Sequence, residues 1–169
     1  MLRTLNALAI VISPAAAAAD RTADELAILR VPTLIERAVD AKDWDEARRH
    51  FTDEITVDFT SLAGGEPATI PADALIEGWS ANLGPQKASH HMRGHGLVTF
   101  TGADAATVQS SGYAWNRMEG NGDPLWEVWG DYTHELIRTE GGWKVKAMTF
   151  DAVHQRGNEW VRDTPSPAK

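Results

Sequence analysis

The sequence predicts an α+β fold in which helices pack on one face of a strongly curved, antiparallel or mixed β-sheet that closes into a cone. Three observations point there. Apolar residues recur at helical spacing through the first half of the chain. Long alternating, β-rich segments fill the second half, from residue 88 onward. Short turns rich in Gly and Asp join those segments, as in a meander. At 169 residues the chain has the size of one domain.

Residues 24–41 read as the first helix. Leu26, Leu29, Leu34 and Ala38, with Ile28, Val31, Ile35 and Val39, fall at helical spacings, and Thr22 or Asp24 is placed to cap the start. Pro32 lacks an N–H and is expected to kink this helix or to begin a new one. A short helix follows over 43–50, with Trp44 and Ala47 on one side. EITVDFTSL, residues 54–62, alternates and is rich in β-branched residues, so it reads as a strand. AGGEPATIP reads as loop. Asp73 is placed to cap a third helix, DALIEGWSANLG, which ends at Gly84–Pro85. Long strands are then expected over 88–100, 106–118, 125–138 and 142–154. Gly102–Ala103–Asp104, Glu119 to Asp123 and Glu140–Gly141–Gly142 supply the turns. The domain is expected over 20–155, with 156–169 as a C-terminal tail.

The first 19 residues have their own character. Arg3, an apolar run from Leu5 to Ile12, Ser13–Pro14 and an alanine tract end in a small-x-small pattern at Ala17 and Ala19. That is the pattern of an export signal cleaved before Asp20, and the run is too short to span a bilayer. The expected location is periplasmic or secreted, with no membrane association after signal removal, or cytoplasmic if the segment stays uncleaved.

Composition narrows the function. A formal net charge of −8 and a pI near 5.2 leave little to neutralise phosphates, which excludes nucleic acid as a partner class. The absence of cysteine excludes disulfides, thiolate catalysis and Cys-based metal sites. Four strand histidines, His90, His91, His95 and His134, raise a metal site, but only His91 and His95 share a strand face, and no metal is expected. Seven tryptophans is a high count for this length, and large aromatic surfaces suit a small-molecule pocket.

Side chains alternate faces along a strand. His91, Arg93 and His95 fall on one face of the 88–100 segment. Tyr113, Trp115 and Arg117 share a face of the next strand, and Trp129, Asp131 and Thr133 share a face of the third. Aromatics mixed with Asp, His, Thr and Arg have the composition of a pocket wall, so these sets are taken as the wall.

The order of elements, the stretch AVDAKDWDEARRHFTDEITVDF and the Ser89–His90–His91–Met92 run that opens a long strand resemble the NTF2-like superfamily in its SnoaL-like branch. The likeness in look is to scytalone dehydratase, with hexachlorocyclohexane dehydrochlorinase as a cousin, and it covers roughly residues 24–155. It implies that Asp40, at the end of the first helix, points into the cone and acts with His91 on a proton, without a cofactor. The sequence departs from the dehydratase pattern elsewhere. Val39 and Phe59 stand where tyrosines are expected, and no histidine lies near Trp115 to Arg117. Asp131 and Thr133 replace a pocket Ser and Asn. Dehydration of scytalone itself is therefore not expected. Two readings follow: a cofactor-independent lyase or isomerase acting on a small, largely apolar molecule, or a non-catalytic ligand-binding or assembly domain. In the first, Asp40 and His91 are catalytic. Phe59, Tyr113, Trp115, Arg117, Trp129, Asp131 and Thr133 line the substrate pocket. The relatives also imply a homo-oligomer, a dimer or trimer built on the outer face of the sheet, and apolar residues occur on both strand faces.

Overall fold

The computed structural model describes residues 14–166. The expected signal segment lies outside the described residues as far as residue 13. The first helix, α1 (Pro14–Ala41), is longer than expected and runs through Pro32 without a break. Pro32 is itself fully buried, and Ile28, Val31, Ile35, Ala38 and Val39 lie in the core. Their packing on the sheet outweighs the one backbone bond that proline removes.

The helix ends in a tight reversal. Asp43 N–H donates to Ala38 O at 2.9 Å and Lys42 N–H to Val39 O at 3.1 Å, with Lys42 in the left-handed region at φ 61°. This is the hydrogen-bond pattern that usually places glycine at the turning residue. The helix α2 (Trp44–Arg49) follows, and Asp43 caps it by accepting the Glu46 N–H at 3.1 Å.

The sheet begins with β1 (Phe51–Asp58). The expected strand over 54–62 is cut short because the Asp58 carboxylate accepts the Thr60 N–H and hydroxyl, at 3.1 and 2.7 Å, and turns the chain into α3 (Thr60–Ala63). The expected loop contains β2 (Ala68–Pro71), paired antiparallel with β1. Next comes α4 (Ala72–Asn82), whose first turn Asp73 does not cap; its carboxylate instead accepts Arg48 Nε at 2.6 Å. The segment 88–100 is two strands, β3 (Ala88–Arg93) and β4 (Leu97–Phe100), divided at the glycines 94 and 96 and both paired with β5 (Ala105–Arg117). The meander closes with β6 (Leu125–Thr139) and β7 (Gly142–Gly157).

The strand order is β2-β1-β7-β6-β5-β3, with β4 also on β5. All pairs are antiparallel except β1 with β7. The helices cover one face, and the main core of Ile28, Ile35, Ile55, Leu136, Val145 and Met148 sits between them and the sheet.

The expected tail is not one. The strand β7 passes residue 155, and the helix α5 (Glu159–Asp163) follows, with Val161 fully buried. A helix of five residues has no readable period, and its stability comes from packing. Ser166 is buried too, and its hydroxyl accepts the Gln86 N–H at 3.0 Å.

Candidate active site

The reversal after α1 brings Asp40 against β3. Asp40 Oδ1 accepts from His91 Nδ1 at 2.7 Å and from the Ser89 hydroxyl at 3.0 Å, while Oδ2 accepts the His91 backbone N–H at 2.8 Å. Lys42 Nζ donates to the Ser89 hydroxyl at 2.7 Å. Asp40 is thus bound from three directions, and capping of α2 falls to Asp43 instead. Burial works against ionisation of Asp40, but the bonds from His91 and Ser89 outweigh it and hold the carboxyl below its ordinary range. The anion fixes the proton of His91 on Nδ1, which leaves Nε2 as a lone pair. Nε2 bonds no described residue, and His91 lines the main cavity.

That cavity measures about 530 Å³, well inside the range of small-molecule sites. Its walls are mostly apolar: Ile35, Val39, Phe59, Leu62, Trp79, Val128 and Phe150 among others. Eight of its twenty lining residues are polar or charged. Glu36 from α1 pairs with Arg93 of β3 at 2.5 Å, and Arg93 also donates to the Ser110 hydroxyl at 2.7 Å. Asn116 and Tyr132 complete the set on the sheet, and Arg162 and Asp163 of α5 stand at the cavity as well.

Of the residues expected in the pocket, Phe59 and His91 line it, whereas Asp40, expected to point into the cone, stands behind His91 in a smaller recess with Arg37 and His90 and does not line the cavity. Tyr113, Trp115, Arg117, Trp129, Asp131 and Thr133 do not line it: they lie on the opposite, convex face of the sheet. The register decides this. His91 pairs with Ala114, and Ala114 with Val128, so the even-numbered residues of β5 and β6 share the face of His91. On the convex face the Tyr113 and Trp129 rings pack at 4.9 Å, and Trp129 packs on His154 at 5.4 Å. Tyr113 donates its hydroxyl to Glu127 at 2.6 Å, and Asp131 accepts from Ser111 at 3.0 Å. The outward parity was readable from β6, because Glu127, Asp131 and Glu135 all fall on the odd set and cannot line a dry core.

His90 packs against Trp115, with ring centres 5.9 Å apart, and its Nδ1 lies 3.7 Å from Asp40 Oδ2, while His95 is exposed between strands. His134 is fully buried, and neither of its ring nitrogens has a partner among the described residues. Burial, with the charge of Arg93 second, lowers its pKa to about 3.

Residues 20–149 match the family model described as a SnoaL-like domain. No curated protein matches the chain. Among solved structures, the protein Kfla4162 from Kribbella flavida is 29% identical with a TM-score of 0.79, covering 85% of this chain and 99% of its own. A Novosphingobium aromaticivorans protein provisionally named a scytalone dehydratase is 19% identical with a TM-score of 0.73, covering 82% and 90%. A hexachlorocyclohexane dehydrochlorinase of type 3 from Novosphingobium barchaimii is 15% identical with a TM-score of 0.70, covering 88% and 94%. The last two carry the fold alone, which is the NTF2-like cone.

Proposed function

Because the chain belongs to the SnoaL-like domain family, we propose that it is a cofactor-independent acid/base enzyme, a lyase or isomerase, acting on a small, largely apolar molecule held in the cone. One observation carries the reading: His91, whose Nδ1 lies 2.7 Å from Asp40 Oδ1, also lines the cavity. A carboxylate that fixes the tautomer and stabilises the imidazolium makes Nε2 a general base. The apolar wall strengthens every charge interaction inside it. Two structures that share the fold bear names of elimination enzymes, a class that needs a proton removed next to a leaving group.

The test is deuterium uptake from solvent at the α-carbon of small cyclic ketones (cyclohexanone, 1-tetralone, 2-tetralone), followed by proton NMR. The wild-type protein should catalyse uptake, and His91→Ala and Asp40→Asn should each lower the rate about 10³-fold or more. Wild-type uptake no faster than that of His91→Ala across all three ketones would refute the reading. The mostly apolar wall also suits a domain that only binds its ligand, and that reading predicts ketone binding without uptake. Residues 1–19 carry a separate proposal of export, which mass spectrometry of protein from an exporting host tests: Asp20 at the N-terminus supports it, and retained Met1 rejects it.

A further inference from the structure

The chain has two tyrosines, and they are treated differently. Tyr113, on the convex face, gives its hydroxyl to Glu127 at 2.6 Å. Tyr132, on the concave face, lines the cavity with His91, and its hydroxyl bonds no other described residue. A phenol brought out of water normally finds a partner, because an unmade bond costs free energy.

The ring itself is firmly placed. It lies over Gly112 of the neighbouring strand, so closely that a Cβ on that glycine would meet Tyr132 Cε2 at 2.5 Å. Phe150 packs on one side with ring centres 4.5 Å apart, and the Arg93 guanidinium stands 4.6 Å from the ring centre. Ring and backbone are therefore committed to packing while the hydroxyl is not. His91 pairs with Ala114 on β5, and Gly112 is the next inward residue of that strand. The phenol ring thus overlies the row next to the imidazole, along the same wall.

We propose that Tyr132 is a further catalytic residue, a hydrogen-bond donor to a carbonyl oxygen of the substrate, and that the substrate is accordingly a carbonyl compound with an enolisable C–H. The proposal rests on the reading of His91 as the base. The substrate C–H bond breaks, its proton passes to His91 Nε2, and its electron pair moves into the carbonyl. The oxygen becomes an enolate held by the Tyr132 O–H. In an elimination the enolate then collapses to form the C=C bond and expels the β-substituent, which leaves with the proton of the imidazolium. In an isomerisation the imidazolium returns that proton at another carbon. A preorganised donor aimed at the developing charge stabilises this transition state, whereas a departing halide is a weak acceptor and gains little from it. Burial raises the Tyr132 pKa, with the Glu36 carboxylate adding to the effect, so the phenol keeps the proton that it donates.

Asn116 is the rival. It also lines the cavity, its amide bonds no described residue, and it stands on the other side of the His91 row, paired with Ser89. Binding of carbonyl-labelled 1-tetralone and of its hydrocarbon counterpart tetralin separates the two. The proposal expects the ketone to bind wild-type protein about tenfold more tightly than tetralin, with a lowered C=O stretching frequency in the infrared spectrum. Tyr132→Phe, which keeps the ring, should abolish both the preference and the shift, leave tetralin binding unchanged, and slow α-deuterium uptake about 10²–10³-fold. No ketone preference in the wild type, a shift that survives in Tyr132→Phe, or one that disappears in Asn116→Leu instead, would overturn it.

The two readings can fail apart. Asp40→Asn should keep the ketone preference and the carbonyl shift while losing uptake. A Tyr132-dependent shift with no uptake in the wild type supports the seat and removes the base. Uptake that depends on His91 and Asp40 but not on Tyr132 overturns the seat and keeps the base.

Discussion

Two aspartates three residues apart do different work, and the difference is measurable. Asp43 caps α2, so Asp43→Ala should cost about 0.5–2 kcal/mol in chemical denaturation and leave α-deuterium uptake unchanged. Asp40 serves His91, so Asp40→Asn should fold and lose uptake. Asp40 and His91 were legible as candidates because Asp40 ends an amphipathic helix, His91 lies near the start of a strand, and the resemblance to SnoaL-like proteins implied that the two act together. Tyr132 and Asn116 were missed because the aromatics of the odd set suggested a pocket wall more strongly than the carboxylates Glu127, Asp131 and Glu135 marked that set as outward. Bulk misled further: the large aromatics Trp115 and Trp129 lie outside, while inside Gly112 and Gly130 sit beneath the rings of Tyr132 and Phe150 and the small Ala114 lines the cavity. A second residue-scale prediction concerns His134, whose pKa falls from 6.5 in the unfolded chain to about 3 in the fold. Between those values the unfolded chain holds a proton there and the native protein does not, so stability falls as the pH drops through that window. His134→Leu also removes two unpartnered ring nitrogens. Thermal melts from pH 7 down to pH 4 should therefore show a shallower loss for His134→Leu than for the wild type. Parallel curves would show that His134 contributes nothing to acid lability.

At the scale of elements, long segments were legible and short ones were not. The helix α1 and the strands β5, β6 and β7 have enough residues for a period to emerge. The strand β2 and the helices α3 and α5 have four or five residues each and are held by partners remote in sequence. The case with consequences is α5. Asn82 Nδ2 of α4 donates to Arg162 O at 3.2 Å, and Lys87 Nζ bonds Asn82 Oδ1 at 2.8 Å, so these residues clamp the helix where Arg162 and Asp163 reach the cavity. Lys87 is fully buried, and burial lowers its pKa to about 8. From there to about 10.5 the unfolded chain is protonated at this site and the native protein is not, so its contribution rises with pH. Val161 anchors the helix from below. Val161→Ala removes roughly two buried methyl equivalents at about 0.8 kcal/mol each, plus the cavity left behind, for about 1.5–2.5 kcal/mol in denaturation. If α5 closes the site, the same change should weaken 1-tetralone binding. An unchanged affinity beside the lost stability would confine α5 to a structural role.

At the scale of the molecule, the inverted parity leaves a surface to be explained. The residues expected to wrap a substrate form a convex patch in which Tyr113, Trp129 and His154 pack in a row with Arg156 above Trp129 at 5.3 Å. Around them Met92 is 56% exposed, Leu97 71% and Val153 73%. The cone accounts for the apolar residues of the concave face, since they bury against α1, α2 and α4. Nothing among the described residues buries the convex set. Exposed apolar and aromatic side chains grouped on one face suit an interface, and we propose that this face is one. A second copy of the chain is the occupant that a closed two-fold or three-fold assembly would supply, because the same patch then meets itself or its symmetry mate. Met92 tests this without touching the fold, since its side chain lies outside both core clusters. Light scattering at tens of micromolar should find the wild-type protein as a dimer or trimer. Met92→Glu should place a charge in a desolvated contact and shift the population toward monomer, with an unchanged circular dichroism spectrum. A wild-type monomer at that concentration would leave the patch to some other partner and end the assembly proposal, whereas the cavity and its Asp40–His91 pair lie within one chain and would be untouched.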